Sequence, residues 1–217
     1  MKAMIVGAGA QGRVILDILR AEARFESVAF VDDDPAKRGL LVNGTPVGCA
    51  IEEALAGGGV EMIVALGDPD RRRAVAARIA SRGIPLLNAV HPSAVVAPSA
   101  ALGCGIMIGA NAVVNSNARI GDTVIINTAA VVEHDCVIAP GAAVGPGARV
   151  GGRVTIGECA FIGSGATILS RVAIGARTVV GAGAVVTKSL PELVLALGVP
   201  ARIAERLDAN FDWSRVL

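Results

Sequence analysis

From Val90 onward the chain places a branched aliphatic residue at every sixth position. Val96, Leu102, Ile108, Val114, Ile120, Ile126, Val132, Ile138, Val144, Val150, Ile156, Ile162, Ile168, Ile174, Val180 and Val186 continue the series, seventeen positions in all. With such residues filling roughly a quarter of an ordinary chain, composition alone would give this run about once in 10¹⁰ trials. The residue after each aliphatic is often Gly, as at 109, 121, 145, 163 and 181, and the one four places on is usually small, as at Ala112, Ala130, Ala148 and Ala166. An inward aliphatic, a turn-permissive residue and a small inward residue describe a short strand followed by a bend. Three such hexads close a triangular coil of about 18 residues, and stacked coils align like positions into ladders. The sixteen intervals predict a little over five coils.

The preceding segment follows other periods. Residues 3–7 read as a strand, Gln11 to Ala21 as a helix, Ser27 to Val31 as a second strand, and Asp32 to Pro35 as a polar turn. Ile51 to Leu55 reads as a short helix, Met62 to Leu66 as a third strand and Pro69 to Arg82 as an Arg-rich helix. This βαβαβα order spans about 85 residues, half of a full dinucleotide-binding fold. The expected organisation is an α/β half-Rossmann domain at 1–88, a parallel β-helix at 89–190 and a tail at 191–217 that Pro191 and Pro200 make irregular.

Composition narrows the function. Twenty basic against nineteen acidic residues leave no electrostatic footprint for nucleic acid or an anionic membrane. Hydrophobic content is 53%, yet no apolar run approaches a membrane span, so a soluble protein is expected. The start, MKAMIVGAGAQG, reads as a first strand rather than a cleaved leader. Cys49, Cys104, Cys136 and Cys159 are far apart, which fits small buried residues in a reducing cytoplasm and neither a zinc site nor a disulfide framework. No metal is expected.

Two segments carry candidate chemistry. Gly7, Gly9 and Gly12 form GxGxxG between a strand and a helix, and Asp32 follows twenty residues after Gly12. Glycines let backbone approach phosphate, the helix start favours an anion, and the acid can take a hydroxyl. Because the second nucleotide-binding half is missing, a nucleotide sugar fits better than NAD. Within the repeat, Glu133-His134-Asp135 breaks the small-and-apolar rule. His134 takes the third place of its hexad, a turn edge, where an imidazole beside a carboxylate is a suitable base near pH 7. One coil on, Gly152 of the Gly151-Gly152 pair should stack beside His134 and leave a backbone N–H open to a thioester oxyanion. His91 reads as structural.

With GAGAQG, VDDD, LGD at 66–68, NTAAVVEHDC, GAGAVVTK and GVPAR, the whole chain resembles the NeuD/PglD-like hexapeptide-repeat sugar acetyltransferases. The resemblance implies a left-handed β-helix, a homotrimer with acetyl-CoA bound between subunits, and acetylation of a nucleotide-linked amino sugar in cytoplasmic polysaccharide biosynthesis. It makes His134 the base and Asp135 the carboxylate that supports it, and Gly152 the oxyanion donor. It assigns Gly9, Gln11, Asp32, Asp33 and Gly67 to the sugar nucleotide, and Gly152, Ser164 and Ala143 to acetyl-CoA. Family members often carry His where this chain has Gln11, and a second His, which helps hold the thioester, where it has Ala143. The expected reaction is direct N-acetylation of a 4-amino group, with no cysteine placed as a nucleophile. O-acetylation of sialic acid or a related sugar hydroxyl is the alternative. A non-catalytic nucleotide-sugar scaffold and an NAD reductase are the rivals from other classes.

Overall fold

The computed structural model describes residues 2–57, 59–208 and 210–215. In the first domain β1 (Lys2–Val6) is the central strand, β2 (Ser27–Val31) lies parallel on one side and β5 (Glu61–Val64) on the other. Between β2 and β5 come a short hairpin, β3 (Leu41–Val42) with β4 (Thr45–Pro46), and α2 (Ile51–Gly57). α1 (Ala10–Glu22) and α3 (Pro69–Ser81) complete the unit. Ile15, Leu16, Ile18 and Leu19 of α1 are fully buried, packed both against this sheet and against Met107, Ile125 and Ala143 of the repeat.

The repeat is a parallel β-solenoid of seventeen two-residue strands, from Ala89–Val90 to Val185–Val186. They stack into a first, second and third face of six, six and five strands, each strand pairing in register with those 18 residues away. Every aliphatic of the six-residue series is the second residue of its strand and points into the prism. The small residue four places on fills the space beside it, and together these make one continuous core.

The turns differ from the expected form. The glycine directly after the aliphatic does not supply the bend; it lets successive coils approach. A Cβ at Gly121 would come within 2.7 Å of Pro140 N, and one at Gly145 within 2.7 Å of Ile162 O. The bend lies two residues later, at a left-handed residue that recurs every six positions from Gly105 to Gly183. Nine of these fourteen are not glycine, Asp135 (φ 59°) among them. Their N–H groups donate to the coil below, as Asp135 does to Ser116 O and Arg153 to His134 O, which offsets the cost of the left-handed conformation.

The tail is more ordered than its prolines suggest. Val194–Leu197 pairs parallel with Val179–Val180 and so extends the first face, and Arg202–Arg206 returns antiparallel to it. Leu207, Phe211 and Trp213 then pack over Cys159 and Val179, while the Trp213 indole N–H donates to Asp70 in α3. The first face is thus covered, by α1 at its start and by the tail at its end. In the outward row of the second face Val95 and Arg149 are exposed, and Val113, Val131, Thr167 and Val185 are only partly covered. Among the described residues no helix is long and apolar enough to cross a membrane.

Candidate functional site

A cavity of about 620 Å³ lies where the α/β unit meets the first face and the corner leading to the second. One wall is the start of α1, Gly7 with Gly9, Ala10 and Gln11. A Cβ on Gly12 would fall on the Gly7 carbonyl oxygen, so this glycine is required for the helix to leave the strand so closely. The helix is capped by Gly9 without any side-chain acceptor, and its first turn holds no acid. Its first N–H groups and the positive end of its dipole therefore face the cavity unneutralised.

Asp32 stands at the same rim, accepting from Ala8 N–H at 2.9 Å, Asp34 N–H at 3.0 Å and Lys37 Nζ at 2.9 Å. Burial pushes its carboxyl up, but the Ala8 N–H and the Lys37 ammonium outweigh that and hold it below the usual carboxylate range. The carboxylate thereby fixes Lys37 at the cavity edge. The opposite wall comes from the solenoid, with Ile125, Asn127, Ala143, Gly145, Phe161 and Ser164, and Gly67 and Arg71 close the side.

His134 sits at a different corner, between the second and third faces. Its Nδ1 is 2.8 Å from Asp135 Oδ2, and the imidazole side chain is 51% exposed. Asp135 also accepts from Asn117 Nδ2 at 3.4 Å and lies 3.7 Å from Arg153 Nε. The His134 hydrogen bond, then Asn117, hold its carboxyl below the usual range. Glu133 accepts from Asn115 Nδ2 and from the His134 N–H. A Cβ on Gly152 would stand 2.6 Å from His134 Nε2, so the ring fits over the next coil only because residue 152 is glycine. In the two coils below, the N–H at this place is taken by the preceding side chain, Ser116 N–H by Asn115 Oδ1 and His134 N–H by Glu133 Oε2. Gly151 has no side chain to do the same for Gly152.

Comparison with known proteins places this arrangement. Residues 2–79 match the PglD N-terminal domain family, and residues 153–188 match the bacterial transferase hexapeptide (six repeats) family. A mutant GDP-perosamine N-acetyl transferase from Caulobacter crescentus, in complex with CoA and GDP-perosamine, is 41% identical, with 94% of this chain and 97% of that chain covered and a TM-score of 0.89. The chain belongs to the NeuD/PglD-like sugar acetyltransferases. The acetyltransferase domain of PglB from Neisseria gonorrhoeae, in complex with acetyl coenzyme A, is 34% identical, with 93% and 98% covered and a TM-score of 0.89. WeeI from Acinetobacter baumannii is 28% identical, with 94% and 100% covered and a TM-score of 0.86. A search of curated protein sequences gives no match.

In this sugar acetyltransferase Gly9, Gln11, Asp32, Gly67, Ala143 and Ser164 line one cavity. Asp33 lies beside a neighbouring hollow, where its carboxylate accepts the Ile51 N–H at the start of α2. His134, Asp135 and Gly152 gather at the other edge of the second face. His91 Nδ1 is bound to Ser93, a local turn. Burial pushes the Cys136 and Cys159 thiols up, the opposite of nucleophile activation. Among the described residues no group of three or more His, Cys, Asp or Glu could hold a metal. Lys37, Arg71 and Asn127 were not among the sequence candidates. They are single polar residues in unremarkable surroundings, and only the fold brings them to one cavity.

Proposed function

We infer that the chain moves the acetyl group of acetyl-CoA to the 4-amino group of a nucleotide-linked amino-deoxysugar, with His134 as general base and direct attack. The observation that carries this reading is the pairing, on the two edges of one solenoid face, of an anion-ready cavity with an exposed His134–Asp135 pair. The similar Caulobacter structure holds CoA and GDP-perosamine, and the similar Neisseria domain holds acetyl coenzyme A.

The sugar nucleotide would lie in the cavity, its phosphates toward the α1 N-terminus, Lys37 and Arg71. His134 Nε2 takes a proton from the sugar ammonium; the freed nitrogen attacks the thioester carbon, forming a C–N bond and an oxyanion that the Gly152 N–H receives. Collapse breaks the C–S bond; the acylated nitrogen gives up its second proton to the departing CoA thiolate, and the proton on His134 passes to solvent. Asp135 steadies the imidazolium in between. The Ala143 methyl has no polar group for the thioester, so the Gly152 N–H carries that contact alone.

The same geometry supports a homotrimer. His134 and the cavity lie on opposite edges of the second face, whose outward row, mostly valine with Arg149 and Thr167 in it, suits contact with another copy. One copy's His134 then serves the next copy's cavity. The product is an activated sugar for polysaccharide assembly in the cytoplasm.

The test offers acetyl-CoA with GDP-, UDP- and dTDP-linked 4-amino sugars, following thiol release and the product. The reading expects one thiol released per amide formed, the product resisting hydroxylamine. A hydroxylamine-labile ester formed on a sugar lacking the amine would replace it with O-acetylation. No thiol release with any sugar would favour a binding scaffold.

A further inference from the structure

Among the described residues Arg72 is the largest fully buried side chain, 1% exposed, on the first turn of α3. Taking a guanidinium out of water is costly unless oriented dipoles replace the solvent. Here the replacement is four backbone carbonyls. Nε donates to Thr123 O at 2.9 Å and Nη2 to Gly141 O at 2.6 Å, both at the corner between the third and first faces, one coil apart. Nη1 donates to Leu66 O at 2.8 Å and Gly67 O at 2.7 Å, in the loop leaving β5. One planar group therefore ties the loop of the α/β unit to two successive coils. Burial lowers its pKa to about 10, so it remains charged at neutral pH.

Leu66 and Gly67 line the cavity, as does Arg71 beside Arg72 on the same turn. The opposite wall belongs to the solenoid, so the span between the walls depends on how this loop is held against the coils. We propose that Arg72 is a positioning residue for the nucleotide-sugar site, fixing the Leu66–Gly67 loop and Arg71 against the solenoid before substrate arrives. A guanidinium is needed because its fork reaches four acceptors in one plane, which an ammonium cannot do. The inference rests on the cavity being the sugar-nucleotide site.

Arg72→Lys keeps the charge and loses the fork. Its KM for the nucleotide sugar should rise on the order of ten- to hundredfold, with the acetyl-CoA KM and the saturated kcat within about threefold of the parent. A merely structural residue would lower the melting temperature and the active fraction and leave that KM in place, and this result overturns the proposal. Crystal structures of the unaltered protein with and without nucleotide sugar give a second reading that does not depend on the variant folding. All four Arg72 bonds should be present in both; a loop that swings away and sheds the Nη1 bonds when empty overturns it. If the unaltered enzyme acetylates no nucleotide sugar, the functional reading has failed. A normal parent with an unshifted variant KM means that only the role of Arg72 has failed.

Discussion

At the scale of single residues the chemistry separates into a base and its surroundings. The His134 ring is half exposed at a turn, so His134→Ala should leave folding and both KM values nearly unchanged and lower kcat by about 10²–10⁴. Steady-state kinetics at pH 7 check this, and a variant retaining most of its kcat would remove the base assignment. Asp135→Asn takes away the carboxylate beside the imidazole. Without it the ring is no longer held at Nδ1, so kcat should fall, by less than in His134→Ala, with both KM values nearly unchanged. An unchanged kcat would mean that Asp135 only holds the turn. Gly152→Ala should lower kcat with little change in KM, because its methyl would displace the His134 ring. At the cavity, Asp32 acts through what it holds. Asp32→Ala frees Lys37 and opens the Ala8 turn, so it should raise the sugar KM and spare the acetyl-CoA KM. Equal effects on both would point to folding instead.

At the scale of elements the molecule is tied together at one solenoid corner. Arg177 holds Asp70 with two bonds, at 2.6 and 2.8 Å, and Trp213 of the tail donates to the same carboxylate at 3.0 Å. The Arg177 hydrogen bond, against burial, keeps the Asp70 carboxyl below its usual range. A depressed carboxyl contributes stability that is full above the unfolded value of about 3.9 and is lost as pH falls through the folded one. Asp70→Asn should therefore lower the melting temperature at pH 7 by about 2–4 °C, a partly exposed site limiting the size. The difference should shrink as pH falls from about 4 towards the depressed folded value; a gap unchanged between pH 7 and pH 3 would contradict the linkage.

The solenoid strands were legible in the sequence because each carries an inward aliphatic that no other fold would space by six. The left-handed corners were not, since residues such as Thr123, Asp135 and Arg153 adopt that conformation only through hydrogen bonds to the coil below. The tail strand Val194–Leu197 was hidden for a similar reason: it takes its place from pairing with Val179–Val180 and not from a pattern of its own. The glycine motif and Glu133-His134-Asp135 could be read directly. That they stand at separate corners could not.

At the scale of the whole molecule, that separation is what the proposed sharing of the site between copies rests on. Light scattering at micromolar concentration should give a homotrimer, and a monomer would contradict the shared site. The most direct measurement mixes two inactive parents. His134→Ala keeps its cavity; Gly9→Phe, at a position where an added Cβ meets nothing within 4 Å, fills the cavity and keeps its base. Co-expressed in equal amounts with different tags, they form mixed trimers in which a site needs an intact base from one copy and an intact cavity from the next. Every mixed trimer then holds one such site in three, so acetyl transfer by the doubly tagged species should return to about a third of the parental rate. Mixed trimers as inactive as their parents would contradict the account.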